Sequence, residues 1–156
     1  MKTLTKIFVF CVAILGSVSL VQARTLIPLQ NFEHITVARL DGKVLDLAEM
    51  KTRVTMAAQG VNWVISPGLT DNILVATTVV RNKHTVRVTI DLGKNAFSVK
   101  YLDSINMKYS VEQPSADQDP LNYGKAQSMT AIAVIHPAYN QWVSKLIGAI
   151  RMQLQQ

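Results

Sequence analysis

The chain has one cysteine, Cys11, and it lies inside the only long apolar run. Residues 1–6 form a short basic start with Lys2 and Lys6. Residues 7–20 carry no charge, and Val21-Gln22-Ala23 offers small residues where a signal peptidase reads. This layout predicts a secretory signal peptide over residues 1–23, cleaved after Ala23. The apolar core of 14 residues is shorter than the roughly 20 needed to span a bilayer. Cys11 follows Phe10 and sits mid-core, so it does not make a lipidation site. The expected mature chain, residues 24–156, then contains no cysteine. That excludes disulfide staples, a thiol nucleophile and cysteine metal ligands. A chain of this length still buries enough apolar surface to fold without staples.

Other absences narrow the function further. No later stretch reaches 18 uncharged apolar residues, so no transmembrane segment is expected after cleavage. His34, His84 and His136 are about fifty residues apart and lack any short ligand spacing, so neither a metal nor another cofactor is expected. There is no Gly-x-Ser-x-Gly elbow and no internal repeat. Acidic residues number 10 against 16 basic ones over the whole chain. Without Lys2 and Lys6 the balance is +4. That mild surplus suits an acidic partner or an anionic envelope surface. With no aromatics interleaved among the outward cations, it does not suit nucleic acid.

What is present reads as one α+β domain over residues 24–156. Residues 35–38 lean towards a short first strand, and Asp41-Gly42 marks a turn. Over residues 46–60, Leu47, Met50, Val54, Ala57 and Val61 recur at spacings of three and four, which predicts a helix. Asp46 is the expected N-cap, with Glu49 placed for a capping box, and Gly60 suits a left-handed C-terminal position. Strands are predicted at 61–65, at 73–81, through alternating Val86, Val88, Ile90 and Leu92, and through Phe97, Val99 and Tyr101. Arg81-Asn82-Lys83-His84 reads as a tight hairpin turn. Residues 112–128 read as a long loop, 129–135 as a last strand, and 138–154 as a second helix opened by Pro137. The expected architecture is a helix, an antiparallel meander of about four strands and a C-terminal helix, both helices on one face of the sheet. Trp63, Tyr139 and Trp142 fall at core phase.

Two polar clusters stand out: Tyr101-Leu102-Asp103-Ser104-Ile105-Asn106, and Ile135-His136-Pro137-Ala138-Tyr139-Asn140-Gln141-Trp142. Together with Gly60 and Trp63 they resemble a family of small uncharacterised exported proteins and lipoproteins of Gram-negative bacteria, with the pattern Tyr-x-Asp-Ser-x-Asn followed by Ile-His-x-x-Tyr-Asn-x-Trp. The resemblance implies a small α+β exported domain without an established activity. The chain departs from the lipoprotein members by lacking a lipobox cysteine, and it has an expanded loop between the motifs.

The candidate polar site is therefore Tyr101, Asp103, Ser104, Asn106, His136, Tyr139 and Asn140. Asp103 is placed to accept from His136, and Asn106 or Asn140 to tie down loop backbone. These residue types more often cap a helix and fix a strand exit through local side-chain to backbone bonds. Ser104, His136 and Asp103 are the residue types of a hydrolytic triad, but Asp103 and Ser104 are adjacent and residue types alone carry little. Arg87 and Lys100 fall on wet strand positions and form a candidate anion-binding pair. The expectation is a non-enzymatic periplasmic or secreted accessory module that acts through protein contact in the envelope. The alternative is a small hydrolase or ligand-binding protein using Asp103, Ser104, His136 and Asn140.

Overall fold

The computed structural model describes residues 25–39, 41–113 and 131–156. The expected signal peptide and most of the 112–128 loop lie outside the described residues. Two strands come before the first helix: β1 (Ile27–Pro28) and β2 (Phe32–Thr36). The expected order therefore needs correction, since the helix does not precede the sheet. Helix α1 (Leu47–Gln59) starts where predicted, and the Asp46 carboxylate accepts from the Glu49 N–H at 2.7 Å. Glu49 does not complete a capping box. It bonds the Arg53 guanidinium one turn on, at 2.7 and 3.0 Å. Met50, Val54, Ala57 and Ala58 form the buried stripe.

The end of α1 differs from expectation at Gly60, which keeps a helical φ of −61°. The left-handed residue is Asn62, at φ 64°. The Asn62 N–H reaches the Gln59 carbonyl at 3.1 Å and the Trp63 N–H reaches the Ala58 carbonyl at 2.9 Å. This is the Schellman pattern, with the buried Trp63 just beyond it.

Strands β3 (Val64–Pro67), β4 (Ile73–Val80), β5 (His84–Leu92) and β6 (Ala96–Ile105) follow as an antiparallel meander. β2 adds to β6, so the sheet has five strands in the order β2-β6-β5-β4-β3. The β4–β5 turn is as tight as predicted: Arg81 and Asn82 both take positive φ, and the Lys83 N–H closes on the Val80 carbonyl at 3.2 Å. Val86, Val88, Ile90 and Leu92 are buried, as their alternation requires.

The last apolar run does not join this sheet. β8 (Ile132–Ile135) pairs with β1 and with β7 (Ser110–Glu112) in a separate three-stranded sheet, order β1-β8-β7. Helix α2 (Ala138–Gln155) buries Tyr139, Val143, Leu146, Ile147, Ile150 and Leu154. It packs on α1, and one core joins both helices to the inner faces of β4, β5 and β6. The architecture is α+β. No described helix is long and apolar enough to cross a membrane.

Candidate functional site

Strand β6 continues through the first motif instead of ending before it. A bulge between the Val88–Tyr101 and Arg87–Asp103 pairs leaves Leu102 as the extra residue. A bulge resets the phase of a strand. Tyr101 and Ser104 consequently face the helices, opposite the buried Val88 and Val86, while Asp103 lies on the outer face opposite Arg87. The Arg87 guanidinium grips Asp103 with two donors, Nε at 2.7 Å from Oδ1 and a terminal nitrogen on Oδ2. These bonds hold the Asp103 carboxyl below its usual range, against a smaller opposing effect of burial. The expected Asp103–His136 pairing is replaced by this ion pair.

Ser104 Oγ lies 2.9 Å from the Tyr101 hydroxyl. Burial pushes the Tyr101 phenol up, and the Ser104 bond partly offsets the shift. Asn106, at φ 58°, donates its amide to the Lys83 carbonyl at 2.7 Å. Its own carbonyl takes His84 Nδ1 at 3.0 Å. Asn106 thus fastens the exit of β6 to the β4–β5 hairpin. His84 is half-buried in this junction.

In the second motif His136 precedes α2. Its Nδ1 accepts from the Ala138 N–H at 3.1 Å, and its backbone N–H donates to the Met107 carbonyl at 2.9 Å. The side chain therefore caps the first turn, which Pro137 opens without needing an N–H. Asn140 binds the N-terminal segment, donating to the Pro28 carbonyl at 3.1 Å and accepting from the Gln30 N–H at 3.3 Å. Tyr139 is fully buried, and its hydroxyl has no hydrogen-bond partner among the described residues. Burial, with a smaller effect of Tyr101, pushes its phenol far up.

The two motifs do meet, through rings and backbone. Tyr101 stacks on Tyr109 with centroids 4.7 Å apart and meets Tyr139 edge-on at 5.6 Å. His84 lies 6.4 Å from the His136 ring and 6.3 Å from Trp142. The structure thus brings Tyr101, Ser104, His136, Tyr139 and Asn140 around the junction of β6 and α2, and leaves Asp103 on the other face.

The candidate anion-binding pair is already paired internally. Arg87 holds Asp103, and Lys100 lies 3.0 Å from Glu33. Among the described residues no three His, Asp or Glu side chains gather as a metal site.

Sequence reasoning missed a groove of about 460 Å³ at the hairpin end of the sheet. Its walls include Trp63, Trp142, Asn62, Thr78, Arg81 and Lys145. Both tryptophans were expected in the core. Trp63 is 3 % exposed and belongs there, while Trp142 is half-buried and opens onto the groove. The Thr78 hydroxyl donates to the Asn62 carbonyl at 2.9 Å, tying the α1–β3 turn to β4 beneath the groove. The sequence signal was the pairing of two tryptophans with two Asn-containing turns, which becomes visible only once the hairpin register is known.

No protein-family model matches this chain, and neither a curated protein nor a solved structure matches it.

Proposed function

We propose that this chain is an exported accessory module of the bacterial envelope, periplasmic or secreted after cleavage behind Ala23. In this reading it acts by protein–protein contact and not by catalysis, and it is kin to the small exported Gram-negative proteins its two motifs resemble. The observation that carries the reading is the outer face of the five-stranded sheet. Both helices pack on the other side, and Val64 (70 % exposed), Ile105 (60 %) and Leu102 (42 %) stand in the open. Their charged neighbours are neutralised within the face by the Arg87–Asp103 and Lys100–Glu33 pairs. In this reading Leu102 and Ile105 on β6, with Val79 (57 % exposed) on β4 and Val64 on β3, form the contact surface across the face.

The second reading, a small hydrolase or ligand-binding protein, divides in two. Its hydrolytic form draws no support from the geometry, because Asp103 and Ser104 face opposite sides of β6 and bond Arg87 and Tyr101. Its ligand-binding form draws no support from Asp103, Ser104, His136 and Asn140 either, because none of them lines the groove at Trp142.

The test has two arms. Cells expressing the full chain are fractionated, and the exported product should begin at Arg24 by N-terminal sequencing; retention in the cytoplasm refutes export. A photocrosslinking residue at position 64 or 105 should give one discrete adduct in living cells. Val64→Glu combined with Ile105→Glu should abolish it when the crosslinker is placed at 102. Absence of any adduct at all three positions refutes contact through this face.

A further inference from the structure

The groove between the β4–β5 hairpin and α2 holds two of the seven described cations that make no ion pair among the described residues; the others are Lys43, Lys83, Lys94, Lys108 and Arg151. Arg39, Lys51, Arg53, Arg87 and Lys100 all hold acidic partners. Arg81 and Lys145 line the groove, have no acidic partner among the described residues, and no carboxylate lines it with them. Two exposed cations beside a concave site with apolar walls give it a positive local potential. The Asn62 side-chain amide, also without a partner among the described residues, adds a neutral donor and acceptor.

The groove is also shaped for a ring. Trp142 and Lys145 are three residues apart on α2 and share a face. Trp142 is braced by His84, whose ring lies 6.3 Å away and is fixed to the Asn106 carbonyl at 3.0 Å. Trp63 is held by the core behind it. Arg81 sits at φ 54°, a left-handed conformation that disfavours long L side chains. A glycine or asparagine would form that turn more easily, so the turn carries its guanidinium against local preference. A volume of about 460 Å³ suits a molecule of one or two rings.

We propose that this groove binds a small organic anion built on a ring. A carboxylate or phosphate group lies between Arg81 and Lys145, and a flat apolar ring face packs on the Trp142 indole. The site is separate from the outer sheet face, so either can fail without the other. It also relocates the anion-binding role from Arg87 and Lys100 to cations that are not already paired.

The chain supplies its own probe, because its two tryptophans both line the groove. Purified protein from cells expressing the full chain is titrated by intrinsic fluorescence. The panel comprises aromatic carboxylates, uronic acids and phosphorylated monosaccharides, each beside its uncharged counterpart, with inorganic phosphate alone. At least one charged ring compound should give a saturable change, at least tenfold tighter than its uncharged counterpart, and which class responds distinguishes aromatic from sugar ligands. Arg81→Asn, which suits the positive φ, and Lys145→Gln should each weaken it about tenfold. Arg151→Gln, on α2 away from the groove, should leave it unchanged. Melting curves verify that each variant is folded, and exposed Lys145 carries the test if the hairpin variant is not. No saturable response to any compound overturns the proposal. So does inorganic phosphate binding as tightly as its ring ester, or folded Lys145→Gln binding like the parent.

Discussion

Replacing Tyr139 with Phe should stabilise the protein. The Tyr139 side chain is fully buried among the core residues of α2 and the sheet, and its hydroxyl finds no partner among the described residues. A buried hydroxyl without a hydrogen bond costs about 1–3 kcal/mol relative to water. Phe removes that group and keeps the ring that meets Tyr101 edge-on at 5.6 Å. The net gain should be about 1 kcal/mol, which is a rise in Tm of about 4 °C for a domain of this size. Urea denaturation followed by circular dichroism checks it: the midpoint should move up with the slope unchanged. Tyr139→Leu sets the scale from the other side. It loses the ring contact and leaves a void, and should cost about 2–4 kcal/mol.

The same residue carries a pH signature. Burial raises the Tyr139 phenol above its unfolded value, so the folded state holds its proton more tightly than the unfolded chain. Its contribution is fully present below an unfolded pKa of about 10 and is lost as pH rises from there towards the higher native value, by up to about 1.4 kcal/mol per pH unit. Tyr139→Phe should flatten that alkaline decline. A Phe variant less stable than the parent by more than about 0.5 kcal/mol would mean that the hydroxyl is satisfied, and would refute the reasoning.

Four further substitutions have expected outcomes. Gly60→Ala should stabilise by about 0.5–1 kcal/mol in urea denaturation, because Gly60 is helical and an added Cβ meets only ordinary contacts at 3.4 and 3.6 Å; Asn62→Val, at φ 64°, should cost about 1–2 kcal/mol. Asp103→Asn should lower Tm by less than about 4 °C, since the ion pair is half-exposed and solvent-screened; the Asp103 contribution is present above its unfolded pKa and lost as pH falls through its lower folded one. Asn140→Ala should speed amide exchange at residues 27–31 while leaving exchange in β5 unchanged, because Asn140 ties Pro28 and Gln30 to α2.

The elements legible in the sequence were those whose signal is local. Asp46, the three-and-four spacing of α1 and the strict alternation of β5 each need only a dozen residues to read. The hairpin turn at Arg81-Asn82 was equally local. What escaped depended on distant partners or on phase. Gly60 was the natural helix stop, but the helical turn runs on until Asn62 can take the left-handed position and bury Trp63 behind it. The run ending at Ile135 is as apolar as a central strand, and nothing within it says that its neighbours are β1 and β7. The candidate polar residues do not gather as one set, since Asp103 faces outward and Asn106 holds the hairpin. Whether Asp103 meets Arg87 or His136 is decided by the β5–β6 register.

The bulge at Leu102 makes this concrete. In a regular strand, adjacent residues already point to opposite faces. Asp103 and Ser104 therefore cannot serve one cavity from β6, whatever lies nearby. The bulge decides which of them turns inward, and it sends Ser104 to Tyr101 and Asp103 to Arg87. Sequence adjacency, which made the pair conspicuous, is thus a physical argument against a shared catalytic role. The same accounting of hydrogen bonds separates fastening from function elsewhere. Asn106 and Asn140 hold backbone segments together, Arg87 and Lys100 hold acids, and each is consumed by the fold. The polar groups left over in a concave, tryptophan-lined place are those of Asn62, Arg81 and Lys145. All three are solvent-exposed and none makes an ion pair among the described residues, so a ligand could engage them without breaking a contact of the fold, which is what the binding proposal requires.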